Sequence, residues 1–217
     1  MSTFYKKKKC CAICGAESTF EVLGSTSSFG YMDLDTRPAP PQRFTASHGV
    51  DLCTGCYYAN YELDELAFPD SERVMESARY GDILSDKEIP LYSKKFMLAA
   101  LIYSAHEPMD AAMLWLRAAW LSDDDGNEVL AKKCRTESAE CIKRHLRSAQ
   151  DTDAAVMLAD VLRRCGSFDA AAAHAKAMLP HAVQKIHKLI LEYQIALCAA
   201  RDDGCHSVGD VEEVRNG

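Results

Sequence analysis

Cys11-Ala12-Ile13-Cys14-Gly15 and Cys53-Thr54-Gly55-Cys56 decide how the first part of this 217-residue chain folds. Two residues between cysteines let a tight turn present both sulfurs to one ion, and 38 residues lie between the two pairs. This is the layout of a four-thiolate site, with Cys11, Cys14, Cys53 and Cys56 as ligands and structural Zn2+ as the expected cofactor. Gly15 and Gly55 are expected to relieve the strain of positive φ in the turns. Cys10 offers the alternative spacing C-x-x-x-C with Cys14, and His48, five residues before Cys53, is an alternative ligand. A redox C-x-x-C needs a low-pKa thiolate at a helix N-terminus, usually after a buried strand. Lys6 to Lys9 stand before Cys11 instead; they read as solvated terminal charge, although such a cluster can lower a thiol pKa. A catalytic zinc keeps one open position, whereas four sulfurs already close the shell.

Between the two turns lies an unusual stretch. After a strand-like run, Thr19 to Leu23, residues 24–43 read G-S-T-S-S-F-G-Y-M-D-L-D-T-R-P-A-P-P-Q-R, and a second strand candidate comes only at Val50 to Leu52. The prolines and small hydroxyl residues argue against helix, and a loop of this length inside a compact domain is usually functional or disordered. Asp33, Asp35 and Arg37 alternate, so an extended backbone would project all three on one face. Such a row suits a polar or cationic ligand. The competing reading is that Arg37 forks onto Asp33 or Asp35 and locks the loop against the helices.

The C-x-x-C-G turn, the G-S-T-x-S-F-G-x-x-D-L-D-T-R-P loop and the second C-x-x-C together resemble a bacterial family of uncharacterised proteins, defined by a domain of unknown function. Gly24, Ser25, Ser28, Phe29, Gly30, Asp33, Asp35, Arg37 and Pro38 match the pattern beside the four cysteines, over about Cys11 to Ala59. The chain departs from it with Ala12 and Thr54 where proline is usual, and with Tyr57 where glycine is usual. The resemblance implies a zinc-ribbon-like start, a tetratricopeptide-like helical remainder and a bound metal. It implies no activity.

From Tyr61 onward the punctuation is helical. Phe68-Pro69-Asp70-Ser71 predicts a short helix to about Tyr80, and further helices are expected over 91–105, from Pro108 to a break at 123–127, and over 128–147, 152–165, 168–179 and 183–200. Leu158, Ala159, Leu162, Gly166, Phe168 and Ala171 fit a tetratricopeptide unit, with a fainter copy at Leu98, Ala99, Ile102, Ala111, Trp115 and Ala118. A closed helical bundle is the alternative. Cys134, Cys141 and His145 share one helix face that could bind a metal, but the cysteines read as small core hydrophobes, and His187 reads as a satisfied core histidine. The expected fold is therefore mainly α: a zinc-ribbon-like module over 1–60, a tetratricopeptide-like antiparallel stack over 61–200, and a flexible tail over 201–217.

Charge and composition narrow the function. Hydrophobic residues are 48% of the chain and charged residues 26%, an ordinary globular balance. The longest apolar run, Phe96 to Tyr103, is far too short to span a bilayer, and the lysine-rich start lacks the apolar core of an export signal, which predicts a cytoplasmic protein. The ten cysteines then point to metal binding and burial rather than disulfides. The net charge of −7 divides into +1 up to residue 60 and −8 after it, which opposes phosphate polymers in the helical part. No G-x-S-x-G elbow, P-loop or H-E-x-x-H is present. The leading expectation is a zinc-binding, non-enzymatic scaffold for another protein. A small-molecule or hydrolytic site on Asp33, Asp35 and Arg37 is the first alternative. Nucleic-acid binding by the ribbon, through Lys6 to Lys9, Arg37 and Arg43, is the second.

Overall fold

The computed structural model describes residues 2–211. Two antiparallel hairpins open the chain: β1 (Thr3–Cys10) pairs with β2 (Glu17–Ser25), and β3 (Asp51–Leu52) pairs with β4 (Ala59–Asn60). Each C-x-x-C lies in the turn of one hairpin. The lysine run that reads as solvated charge is instead the body of β1. Side chains alternate across a strand. Lys8 thus stays exposed, while Lys9 turns inward to Asp51 at 2.6 Å and Glu62 at 2.8 Å. Buried lysine is tolerated because two carboxylates accept from it.

A succession of α-helices follows: α1 (Ser71–Met75), α2 (Ala78–Ser85), α3 (Leu91–Tyr103), α4 (Pro108–Asp124), α5 (Glu128–His145), α6 (Thr152–Arg164), α7 (Phe168–Met178) and α8 (Lys185–Ala199). From α3 onward the predicted helices stand within about two residues of their expected ends, the scatter usual for frayed termini. The helix expected from 71 to about 80 is two pieces. Ser77 adopts an extended conformation and accepts a hydrogen bond from the Tyr80 amide, so it caps a new helix rather than continuing the first. Asn127 and Asp151 cap α5 and α6 in the same way.

Each of α3 to α8 packs on its sequence neighbours, and α8 also reaches α6, so the stack curls at its end. Leu98, Ala99, Ala111, Ala118, Ala159 and Ala171 are buried, small residues among them letting the axes approach. Cys134 and Cys141 are buried as apolar side chains, and His145 faces Asp151. One apolar core runs across the position expected to divide ribbon from helices: Cys11, Val50, Cys53, Tyr58 and Leu63 share it with Phe96, Leu114 and Ile142. A smaller cluster joins Leu34 of the loop to α6, α8 and Val211.

Residues 201–211, expected as part of a flexible tail, lie along the loop. Asp33 and Ser207 form an antiparallel bridge, the Leu34 amide donates to the His206 carbonyl, and the Val208 amide donates to the Met32 carbonyl, each at 2.9 Å. Arg163 fixes the approach by donating to the carbonyls of Asp202 and Gly204. The rest of that expectation, 212–217, lies outside the described residues. No described helix is long and apolar enough to cross a membrane.

Candidate metal centre

The two cysteine turns are built alike. In the first, the Gly15 amide donates to the Cys11 carbonyl at 2.9 Å and the Cys11 amide to the Ala16 carbonyl at 3.0 Å. In the second, the Tyr57 amide donates to the Cys53 carbonyl at 3.1 Å and the Cys53 amide to the Tyr58 carbonyl at 2.8 Å. Positive φ falls at the matching residues, 74° at Gly15 and 62° at Tyr57, and not at Gly55. Gly55 is needed for closeness instead: an added Cβ would meet the Ala16 Cβ at 3.0 Å and the Cys14 Sγ at 3.3 Å. Its amide also donates to the Cys53 sulfur at 3.3 Å.

Cys11, Cys14, Cys53 and Cys56 place their four sulfurs within 4.8 Å of one another. The contacts run across the two turns, 3.7 Å from Cys11 to Cys56 and 3.6 Å from Cys14 to Cys53. Four sulfurs around a zinc at about 2.3 Å stand about 3.8 Å apart, so the residues fit a tetrahedral divalent ion. Both contacts far exceed the roughly 2.05 Å of a disulfide, and neither pairs the two sulfurs of one C-x-x-C as a redox site does. Cys10 and His48 stand outside the cluster. The Cys10 thiol faces the Gly15 carbonyl, and His48 lies between Ser47 and Glu21.

The sulfurs differ in how readily they ionise. At Cys53 burial works against the thiolate, but the amides of Cys56 and Gly55 and the neighbouring Cys14 and Cys11 overcome it and bring the pKa down to about 7. Burial and the crowding of other sulfurs hold Cys11 and Cys56 up. One thiolate repels the next in such a cluster. A divalent cation removes that penalty for all four at once.

Phenol groups seat the second turn on the helices. Tyr80 of α2 donates to the Tyr57 carbonyl at 2.6 Å, and Tyr103 of α3 donates to the Asn60 side chain at 2.5 Å. The Ala12 amide donates to the Leu63 carbonyl, so both turns are tied to the chain that leads into the helical part.

The loop is fastened by charge. Residues 33–37 form a tight turn, with the Thr36 amide on the Asp33 carbonyl and Thr36 at φ 70°, so the extended row expected of Asp33, Asp35 and Arg37 does not exist. Turning sends the three side chains to different partners. Asp33 pairs with Arg43 and accepts from the Cys205 thiol at 3.1 Å. Arg37 pairs with Asp124 at 2.6 Å rather than with either loop carboxylate. Asp35 is fully buried and accepts from three successive helices: Trp120 Nε1 at 2.9 Å, Arg135 at 3.3 Å and Arg164 at 2.8 Å. Asp123 receives the same two arginines from the other side. Burial alone would raise the Asp35 pKa, but Arg164, Arg135, Trp120 and the Arg37 amide outweigh it and hold the carboxyl below its ordinary value.

Sequence reasoning had no signal for Trp120, Arg135 and Arg164, which look like ordinary helix residues 85 to 129 positions from their partner. Cys205 and His206 were likewise invisible, because their part in clasping the loop depends on a chain reversal that no local pattern encodes.

A family model described as "Uncharacterized protein conserved in bacteria (DUF2225)" matches residues 4–190. The chain belongs to this family. The match begins in β1 and ends within α8, so the family unit contains both cysteine turns, the loop and the helices that receive Asp35. No curated protein and no solved structure matches the chain.

Proposed function

We propose that this DUF2225 protein is a cytoplasmic, non-enzymatic interaction scaffold. One structural zinc, bound by Cys11, Cys14, Cys53 and Cys56, holds a ribbon whose loop is presented to another protein from a tetratricopeptide-like helical stack. The observation that carries this reading is the contrast within the loop itself. Its charged residues are spent on internal partners, while Phe29 and Phe44 stand 72% and 75% exposed, with Tyr31 and Met32 half exposed between them. Aromatic side chains held out on a fixed backbone bind partners at low entropic cost, and large exposed apolar groups mark interaction surfaces.

The alternatives have less to stand on. A general base or a ligand for a second ion must reach its substrate, and Asp35 is sealed from solvent while Asp33 and Arg37 each hold an ion pair. For nucleic acid, five of the six basic residues are already paired: Lys7 and Lys9 meet Glu62, Lys8 meets Glu17, Arg37 meets Asp124 and Arg43 meets Asp33.

The test is affinity capture from the native host with the wild-type chain and with Phe29→Ala/Phe44→Ala, beside elemental analysis of both. The reading expects one zinc per chain in each protein and loss of a specific partner only from the double variant. Identical sets of captured proteins would reject the loop as the docking element.

A further inference from the structure

Residues 205–211 meet the rest of the protein as a bound peptide meets a receptor. The chain leaves α8 at Arg201, whose φ of 53° lies in the left-handed region that side chains rarely adopt. Arg163 then holds the carbonyls of Asp202 and Gly204 at 2.6 and 3.0 Å. Beyond this anchor Ser207 bridges Asp33 as one rung of an antiparallel ladder, with the Leu34 amide on the His206 carbonyl and the Val208 amide on the Met32 carbonyl. Main-chain pairing to an edge gives affinity, and pockets for the side chains give specificity.

After the rung the segment turns. The Ser207 amide donates to Asp210 Oδ2 at 2.7 Å and the Asp210 amide to Ser207 Oγ at 3.3 Å, a capping box that opens a helical turn at 208–211. Val211 is buried in the cluster of Leu34, Val156, Ile190 and Leu191, and Gly209 lies so close to Tyr31 that an added Cβ would meet its ring at 2.6 Å. Val208 fits less well. It is only partly buried, and beside it a cleft of about 270 Å³ stays open between Leu34, Val156, Met157 and Ile190. A cavity of about 150 Å³ already holds a benzene ring, so the seat is larger than the side chain that occupies it. The edge and these walls lie within the residues that match the family, and the segment covering them comes after residue 190.

We propose that the 32–34 edge, α6 and α8 form a peptide-docking groove, that residues 205–211 occupy it in cis, and that a segment of a partner protein displaces them. The occupant defines the chemistry of that partner: an extended stretch to pair with the edge, a short hydroxyl or carboxylate residue to cap a helical turn, one apolar residue directly after the cap and another three positions on. The cleft defines where the two differ. A tethered segment competes at an effective concentration on the order of mM, so the partner prevails by placing a larger side chain, such as an aromatic ring, where this chain has Val208. The groove does not rest on Phe29 or Phe44 and stands apart from the docking surface proposed above.

The experiment uses the full, zinc-replete chain and fluorescently labelled peptides of residues 201–211, read by anisotropy. Val211→Asp weakens the cis contact by placing a carboxylate in the apolar cluster, and Gly209→Ala weakens it separately by crowding Tyr31. The unaltered peptide is expected to bind each variant at least about ten-fold more tightly than it binds the wild-type chain, because apparent affinity follows the fraction of vacant grooves. On the wild-type chain, the peptide carrying Val208→Phe should bind at least about ten-fold more tightly than the unaltered one. Equal affinity of the unaltered peptide for the wild-type chain and both variants, no binding to any of them, or no gain from Val208→Phe overturns the proposal. So does a concentration-dependent dimer of the wild-type chain that Val211→Asp abolishes, since the groove would then take the segment of a second copy. If Val211→Asp loses its near-ultraviolet circular dichroism, Gly209→Ala and the comparison of the two peptides decide the matter alone.

Discussion

The ribbon and the helical stack are stabilised by different means. The stack hides Phe96, Leu98, Leu114, Leu116 and Ile142 completely, and its helices stand on one another mainly through apolar contacts, with Asp160, Arg163 and Gln194 as a buried polar cluster between α6 and α8. The ribbon buries few large side chains of its own. Its β1–β2 hairpin is mostly exposed, and the long loop contributes a single well-buried leucine, Leu34. What it has instead is directional: four sulfurs, a lysine between two carboxylates, and a carboxylate that receives donors from three helices. Hydrophobic burial is additive and tolerant, whereas metal bonds and buried ion pairs depend on every partner being present. The two regions should therefore fail differently.

Metal removal should separate them most sharply. Stripping the ion with a chelator under reducing conditions, or replacing Cys53 by Ser, is expected to unfold both cysteine turns, since structural zinc contributes on the order of 10 kcal/mol to small sites. Hydrogen exchange should show amides of β3, β4 and the loop losing protection while α4 to α7 keep theirs. Retention of full protection in the metal-free chain would break the distinction between the regions.

Next in size is the buried carboxylate. Asp35→Ala leaves Trp120 Nε1 without its acceptor and Arg135 and Arg164 with only Asp123 to share, and should cost about 3–5 kcal/mol in urea unfolding, with the loop detached from the helices. Because the Asp35 carboxyl ionises below its ordinary value in the folded chain, its contribution is complete above the unfolded carboxylate pKa of 3.8 and is lost as pH falls through the lower folded value. The acid limb of the stability profile should therefore flatten in the variant. Lys9→Ala comes third. It removes a buried ammonium from Asp51 and Glu62 and should cost about 2 kcal/mol, read as a lower unfolding midpoint with metal content unchanged.

The smallest effect compares the two cysteine turns with each other. Tyr57 occupies the left-handed region that Gly15 occupies in the first turn. Tyr57→Gly relieves that strain at some cost in chain entropy and should be neutral or stabilising by up to about 1 kcal/mol, whereas Gly15→Ala should destabilise by about 1 kcal/mol. Thermal unfolding of the two single variants would settle the sign.

The cysteine turns are legible because their geometry is local: spacing alone brings two sulfurs together, and only one long closure is needed to make four. Helices α3 to α8 were legible for a similar reason, since caps, prolines and apolar spacing act within a few residues. β1 was hidden because a run of lysines has no apolar alternation, and its inward-facing member is made tolerable by acids 42 and 53 residues away. The loop was misread in detail because alternation predicts a face only if the backbone is extended. A turn at Thr36, closed by hydrogen bonds between Asp33, Thr36 and Arg37, redirects each side chain, and the helices and the 201–211 segment supply the partners those side chains then meet.

By itself, then, the sequence determined the four-sulfur cluster, the family and the succession of helices, all of which follow from short-range spacing and propensity. Tertiary structure alone decided where Lys9, Asp35 and Arg37 send their charges. Those outcomes depend on which distant groups arrive to neutralise or hydrogen-bond a buried polar atom, and the cost of leaving such an atom unpaired acts only once the chain is packed.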